Sequence, residues 1–463
     1  MRSLALFVTA MLVAVPQNAF AHGLLRSSTP SANSVLVEPP PEIRLTFTEA
    51  PERAFTRIRL IGPAGEIPLE PMQLLVGNVA HARISGRLAP AMYRVEWQTA
   101  GADGHPVSGQ FSFTVGSGTA AGSSVPDTAP SGAAPMHDPM GPVPGMAASG
   151  ETDPFSSLGA ILRWLTLMGT IAAIGTVAFR YTVLARVSLE VDREITTDYL
   201  PAAARGAAVV GAIAALLLLL TGFARLAVQS LAMHGADSAL DWSMLSPMIS
   251  HTNWGLAWVT QLLGAAAAGV SFLLIRRGRE WPWLLAVGGG VTIAAGLALA
   301  SHAAVVPRMS AASTIANGVH TIAAAGWLGN LLLVFAVGLP LAWRLDRDDR
   351  WTVVRDIINA FSPAALAFGA LAGVTGVFMA WTHVGSISAL TNTDYGNVLL
   401  IKIGLISLTA VTGAYNWLRV RPSLGDHTGA RRLRRSAGAE LAIAVLVLAV
   451  TAVLVALPLP TTR

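Results

Sequence analysis

From Leu158 onward the chain is built of apolar stretches long enough to cross a lipid bilayer, and this fixes most of what it can fold into. Eight can be read: 158–184, 203–228, 254–275, 282–301, 312–343, 357–382, 396–418 and 437–457. In hydrocarbon every backbone N–H and C=O must be bonded inside the protein, so such stretches become helices. The first, fifth and sixth exceed what a perpendicular span needs, which predicts tilt or extra turns outside the bilayer. Residues 155–457 are therefore expected to be a polytopic α-helical membrane domain of about eight spans, with a tail at 458–463. Composition agrees: 53% of residues are hydrophobic and 12% charged, against about 25% charged in a soluble domain.

The N-terminus reads differently. Met1-Arg2 is a short positive segment, Leu4 to Val15 is apolar, and Ala19-Phe20-Ala21 is a small-x-small cleavage signal. Residues 1–21 are thus a signal peptide, cut after Ala21. His22 would become the first residue of the mature chain, its free α-amine beside its imidazole, a pair that chelates one metal ion.

Residues 22–116 read as β structure. Ile43, Leu45 and Phe47 alternate with polar neighbours, as do Tyr93, Val95 and Trp97, then Phe111, Phe113 and Val115. Arg57–Ile61 and His81–Ile84 are further runs, the first ended by the turn signal Gly62-Pro63-Ala64-Gly65. Short strands punctuated by turns predict a small antiparallel sandwich or barrel. Pro106 cannot donate to a central ladder, so the stretch from Ala100 to Pro106 is a loop or edge. In an extended segment residues i and i+2 point the same way, so Asp103 and His105 would converge on one ion. His22, Asp103 and His105 are the expected Cu(II) ligands.

Residues 117–154 are rich in Gly, Ala, Ser and Pro and read as a flexible linker. Met136, His137, Met140 and Met146 lie in it. They are either incidental residues of a tether or a thioether and imidazole relay for Cu(I).

The chain has no cysteine. That removes disulfides, thiolate zinc sites, blue-copper sites and iron–sulfur clusters. The net charge of +5 comes from basic residues in short loops between apolar runs, which points to a membrane and away from nucleic acid. Export of the first domain puts Leu158 on the outer side. Cytoplasmic connections then carry Arg186 and Arg193; Arg276, Arg277 and Arg279; Arg344, Arg347, Arg350 and Arg355; and Arg419, Arg421, Arg431, Arg432, Arg434 and Arg435. The opposite connections carry only Arg308, with Arg225 near the end of span two. This is a positive-inside asymmetry. It predicts a multi-pass protein of a bacterial plasma (inner) membrane, with the N-terminal domain and the C-terminus on the periplasmic side.

With that topology the downstream histidines sort to one side. His234 and His251 lie in the loop between spans two and three, His302 ends span four, His320 is inside span five and His383 follows span six. Only His427 falls in a cytoplasmic loop. Met379 shares the outer bias. An ionisable residue inside a membrane is a functional candidate, and imidazole with thioether suits copper, particularly Cu(I). His251, His302, His320, His383 and Met379 are the expected membrane copper path. Lys402, the chain's one lysine, and Glu440 carry opposite charges on adjacent spans at different depths.

These residues resemble a known pair of families. His22-Gly23, Ser28-Thr29-Pro30, Leu45-Thr46-Phe47, and Asp103-Gly104-His105 before Gly109-Gln110-Phe111-Ser112-Phe113 make residues 22–116 similar to the periplasmic copper-binding protein CopC. The membrane part resembles the copper-resistance protein CopD. There the match is His302-Ala303; Gly318-Val319-His320 followed by Gly326-Trp327-Leu328-Gly329; Asp394-Tyr395-Gly396 running into Lys402; Asn416; and Glu440. The resemblance implies a cupredoxin-like or Ig-like β sandwich holding Cu(II), followed by a membrane domain linked to copper uptake and tolerance. Two positions depart from the pattern. The region that is Met-rich in some CopC proteins has only Met72, with His81 beyond it. Asn317 stands where many CopD proteins have an acidic residue.

The expected function is copper capture outside the cell membrane, transfer to the membrane domain and import, with a reduction step linking the Cu(II) and Cu(I) ligand sets. No nucleotide-binding loop is present, and no catalytic residues are assigned. The rivals are a copper oxygenase built on the N-terminal histidine, against which Asp103 argues, and a haem-binding electron-transfer protein using His302, His320 and His383.

Overall fold

The computed structural model describes residues 25–47, 50–76, 78–100, 106–116, 154–190, 193–234, 238–300, 310–416, 418, 427–457 and 460. It divides into two compact units, one of strands and one of helices.

The strand unit is a sandwich of two sheets. One has the order β1 (Leu25–Thr29), β3 (Glu42–Phe47), β7 (Val79–Arg83), β6 (Gln73–Leu75). The other has the order β2 (Val35–Leu36), β9 (Pro106–Val115), β8 (Ala91–Ala100), β4 (Arg57–Gly62), β5 (Gly65–Ile67). The pairings are antiparallel except β2 with β9, which is parallel and departs from the expected all-antiparallel pattern. Period-two alternation decides the inner faces: Ile43, Leu45, Phe47, Tyr93, Val95, Trp97, Phe111, Phe113 and Val115 are all buried. Phe47 and Trp97 meet edge to face at 5.2 Å. Pro106 pairs with Ala100 at the start of β9, where a missing donor is tolerated. Strands β1, β2, β5 and β6 were not anticipated; they are two to five residues long and show no alternation to read.

In the helical unit the first apolar stretch runs through α1 (Pro154–Ala178), a π turn (Phe179–Leu184) and α2 (Ala185–Glu190). Next come α3 (Arg193–His234), α4 (Trp242–Ser250), α5 (Asn253–Arg276) and α6 (Pro282–Leu299). The fifth stretch is α7 (Ser310–Ala324), a π turn (Ala325–Gly329), α8 (Asn330–Leu333), a second π turn (Val334–Gly338) and α9 (Leu339–Ala342). The remainder is α10 (Arg347–Val384), α11 (Ile387–Asn392), α12 (Asp394–Tyr415) and α13 (His427–Leu454).

Among the described residues seven helices are long and apolar enough to cross a membrane, and the eighth apolar stretch is the shorter segment Gly438–Leu454. The long first, fifth and sixth stretches gain extra turns, and so does the second, whose helix continues to His234. His234 therefore ends a helix and does not sit in the loop expected for it. Gly175 of α1 lies against Gly329; a Cβ on either would press on backbone closer than 3.0 Å. That backbone-to-backbone approach is what small residues allow between membrane helices. The packing is uneven: 67% of the fifth span's apolar window is buried, but only 11% of those of spans six and seven.

Candidate metal path and its surroundings

His22, Asp103, His105, His302, Met136, His137, Met140 and Met146 lie outside the described residues. The frame leading to the first three is described. β1 is antiparallel to β3, with Leu25 opposite Phe47, and Phe47 packs on Trp97, three residues before Ala100. β2, which follows β1, pairs with Thr114 and Val115 at the far end of β9. Leu25 and the Ala100–Pro106 end of the β8–β9 hairpin are thus at one end of the sandwich.

His81 is buried on β7 and shares a 2.6 Å hydrogen bond through Nε2 with Glu42 Oε2 on β3. The registers put Arg44 opposite His81 and Glu42 two residues away on the same face. This bond, helped by Arg44 and opposed by partial burial, holds the Glu42 carboxyl below the usual carboxylate range.

In the membrane part, His320 sits ten residues into α7 and touches α10. Its Nδ1 lies 3.0 Å from the Ala372 carbonyl and 3.1 Å from Thr375 Oγ. Thr375 donates its own proton to the Leu371 carbonyl at 2.7 Å, as hydroxyls in helices do. Gly376 lies against the Cε1–Nδ1 edge of the ring: a Cβ there would be 3.3 Å from His320 Cε1.

Met379 and His383 follow at four-residue steps from Thr375, so all three share one face of α10. α10 ends just beyond, at Gly385, whose φ of +68° closes the helix in the left-handed region. His383 Nδ1 is 3.2 Å from Tyr395 Oη. Tyr395 is placed by the first turn of α12, where Thr393 caps the helix by accepting from Gly396 N at 3.1 Å. One helix face thus carries, over about three turns, the contact to His320, then Met379, then His383.

His251 is exposed at the end of α4, with Nδ1 2.8 Å from Ser250 Oγ. Nothing described joins it to the α10 face. Among the described residues no three His, Cys, Asp or Glu side chains gather as a metal cage. Glu440 accepts from Asn416 Nδ2, and no ion pair between Glu440 and Lys402 occurs among the described residues. Thr375, Gly376 and the Ala372 carbonyl were missed by sequence reading. A threonine four residues before Met379 and eight before His383, on one face of an apolar helix, was the available signal.

Three family models match. Residues 25–116 match the CopC domain, 154–307 the copper resistance protein D-like N-terminal domain, and 355–454 copper resistance protein D. Copper transport protein CutJ of Bacillus subtilis (strain 168) is 26% identical over 459 residues, covering 97% of this chain and 76% of that one. Copper resistance protein C of Escherichia coli is 29% identical over 120 residues, 24% of this chain and 94% of that one. The crystal structure of PcoC, a methionine-rich copper resistance protein from Escherichia coli, is 27% identical, covers 20% of this chain and 99% of that one, and has a TM-score of 0.19.

Proposed function

For a chain that is a CopC domain followed by CopD-like copper-resistance domains in a multi-pass membrane protein, we propose copper capture on the outer side and import through the membrane part. Cu(II) is held by the His22 amine and imidazole, Asp103 and His105, a nitrogen and carboxylate set suited to that ion. The linker residues Met136, His137, Met140 and Met146 relay copper toward the outer ends of the spans, where His251 and His302 provide further imidazoles. Copper then enters along α10, from His383 to Met379 to His320. Thioether is a soft donor and imidazole a borderline one that also suits copper, so this leg carries Cu(I). That ion forms when a one-electron donor outside this chain, such as a membrane quinol, reduces the captured Cu(II). The observation that carries the reading is the α10 face itself. His383 and Met379 stand along it, and His320 of α7 is tied to it by two hydrogen bonds. The similarity to a copper transport protein over nearly the whole chain supports the same direction of thought.

Cellular copper content measures this directly. Cells making the protein should hold more copper than cells without it, and His320→Ala and His383→Ala should each abolish the difference. His22→Ala should abolish it only when external copper is scarce. A copper gain untouched by His320→Ala would remove the import path.

A further inference from the structure

His320 is gripped by one edge of its ring. The Ala372 carbonyl can only accept, so Nδ1 must carry a hydrogen. Thr375 Oγ already donates to the Leu371 carbonyl, so toward His320 it too is an acceptor. Two acceptors on one nitrogen demand the same tautomer. A neutral imidazole with its hydrogen on Nδ1 keeps the lone pair on Nε2. Nε2 has no hydrogen-bond partner among the described residues, nor is it one of the polar atoms sealed from contact there. Gly376 lets the ring lie against α10 where a side chain would push it away.

We propose that the Ala372 carbonyl, Thr375 and Gly376 form a positioning set that locks His320 in the Nδ1–H tautomer and offers Nε2 to Cu(I). This rests on the reading that copper passes His320. Metal-binding histidines are commonly oriented through their other nitrogen in this way, and removing such a partner costs about 10–100-fold in metal affinity. Met379, one turn along α10 from Thr375, brings a thioether to the same helix face, and Lys402 lies close enough to interact electrostatically with the His320 ring. Asn317, one turn before His320 on α7, brings no negative charge. An imidazole with a thioether and no carboxylate suits Cu(I), while among the described residues no three His, Cys, Asp or Glu gather to supply the four ligands Zn(II) takes. Thr375 and Gly376 touch the ring and not the ion, so their role is to aim it.

The test uses the full-length protein in lipid nanodiscs with nitrogen-15-labelled histidine. Without metal, His320 should show a protonated Nδ1 and an unprotonated Nε2. Cu(I) buffered by bicinchoninate should shift Nε2 and leave Nδ1–H in place; Zn(II) at the same free concentration should not. Thr375→Val leaves the Ala372 carbonyl in place, so Nδ1–H should persist while Cu(I) binding weakens about tenfold through the loosened ring, and Thr375→Ser should restore the affinity. If Thr375→Val does not fold, Gly376→Ala crowds the ring and should weaken Cu(I) binding in the same sense. A wild-type ring protonated on Nε2 would overturn the lock, and variants with wild-type Cu(I) affinity would overturn the aiming role of Thr375 and Gly376. A locked ring whose Nε2 ignores Cu(I) would instead overturn the copper path at His320, so the two failures are distinct.

Discussion

The two units bury different kinds of residue. The sandwich core is made of large side chains: Ile43, Leu45, Phe47, Leu60, Trp97, Phe111 and Phe113. The largest core of the helical unit contains many alanines, among them Ala173, Ala203, Ala207, Ala208, Ala265, Ala268 and Ala286. The solvent explains the contrast. In water each buried Phe or Leu side chain is worth about 1.5–3 kcal/mol, so a small domain gains by burying bulk. In a bilayer the alternative to burial is contact with lipid tails, which are as apolar as leucine. Helices then gain from close approach, and small residues permit it. The same solvent explains why spans six and seven can remain mostly unburied within the chain: lipid covers them without penalty.

The largest effect should come from breaking the close approach. Gly329 packs on Ile171 O and on Gly175, so any side chain at 329 must part α1 from the fifth span. Gly329→Leu should leave no monodisperse protein on size exclusion in mild detergent, and Gly329→Ala should leave a reduced yield. Wild-type yield from Gly329→Leu would show that helix proximity is not what holds the bundle. The opposite substitution probes the sandwich. Phe113 is 1% exposed and stacks on Tyr93 with centroids 5.6 Å apart. Phe113→Ala should cost about 3–5 kcal/mol, seen as lost hydrogen-exchange protection in β8 and β9 of the full chain. A loss below about 1 kcal/mol would mean that this core collapses around cavities more readily than close packing allows.

Much of this was legible in the sequence, for reasons that differ between the units. Hydropathy alone marks the spans, because a bilayer imposes length and composition together. Alternation marks β3, β8 and β9, whose inner faces hold Ile43, Val95 and Phe113. It cannot mark β2 or β5, which are too short for a period to show, nor the parallel pairing of β2 with β9. The approach of Gly329 to Gly175 was unreadable because it is a contact between distant parts of the chain. The same holds at the site. His320, Met379 and His383 announce themselves by type, but the partners of His320 on α10 lie more than fifty residues away and include a backbone carbonyl with no side-chain signature.

A smaller effect should come from the charge pair on the sandwich face. Glu42 is held below its ordinary value of 4.5, first by the His81 hydrogen bond. A carboxylate depressed in the folded state stabilises it above the unfolded value, and that contribution disappears as pH falls through the lowered folded value. The wild type should therefore exceed Glu42→Gln in stability at pH 7 by about 1 kcal/mol or less, and the gap should close below pH 4.5. Exchange rates of β3 and β7 peptides in the two proteins, compared at each pH, measure this. A gap that widens in acid would reverse the sign and rule out the ionised Glu42 as the stabilising form.

The smallest effect tests the lipid-facing surface. Leu366 on α10 is 76% exposed and Val374, two turns further, 70%. In a soluble protein, truncating such exposed residues would raise solubility and change little else. In this chain they are expected to meet lipid before and after the change, so Leu366→Ala and Val374→Ala should alter thermal stability in nanodiscs by no more than about 0.5 kcal/mol. Both also lie off the face that carries Thr375, Met379 and His383, so copper-dependent readings should stay at the wild-type level. A loss of several kcal/mol at Leu366 would mean that protein, and not lipid, covers this face. The sparse packing of span six would then belong to an interface, and the comparison between the two cores would apply only to the first five spans.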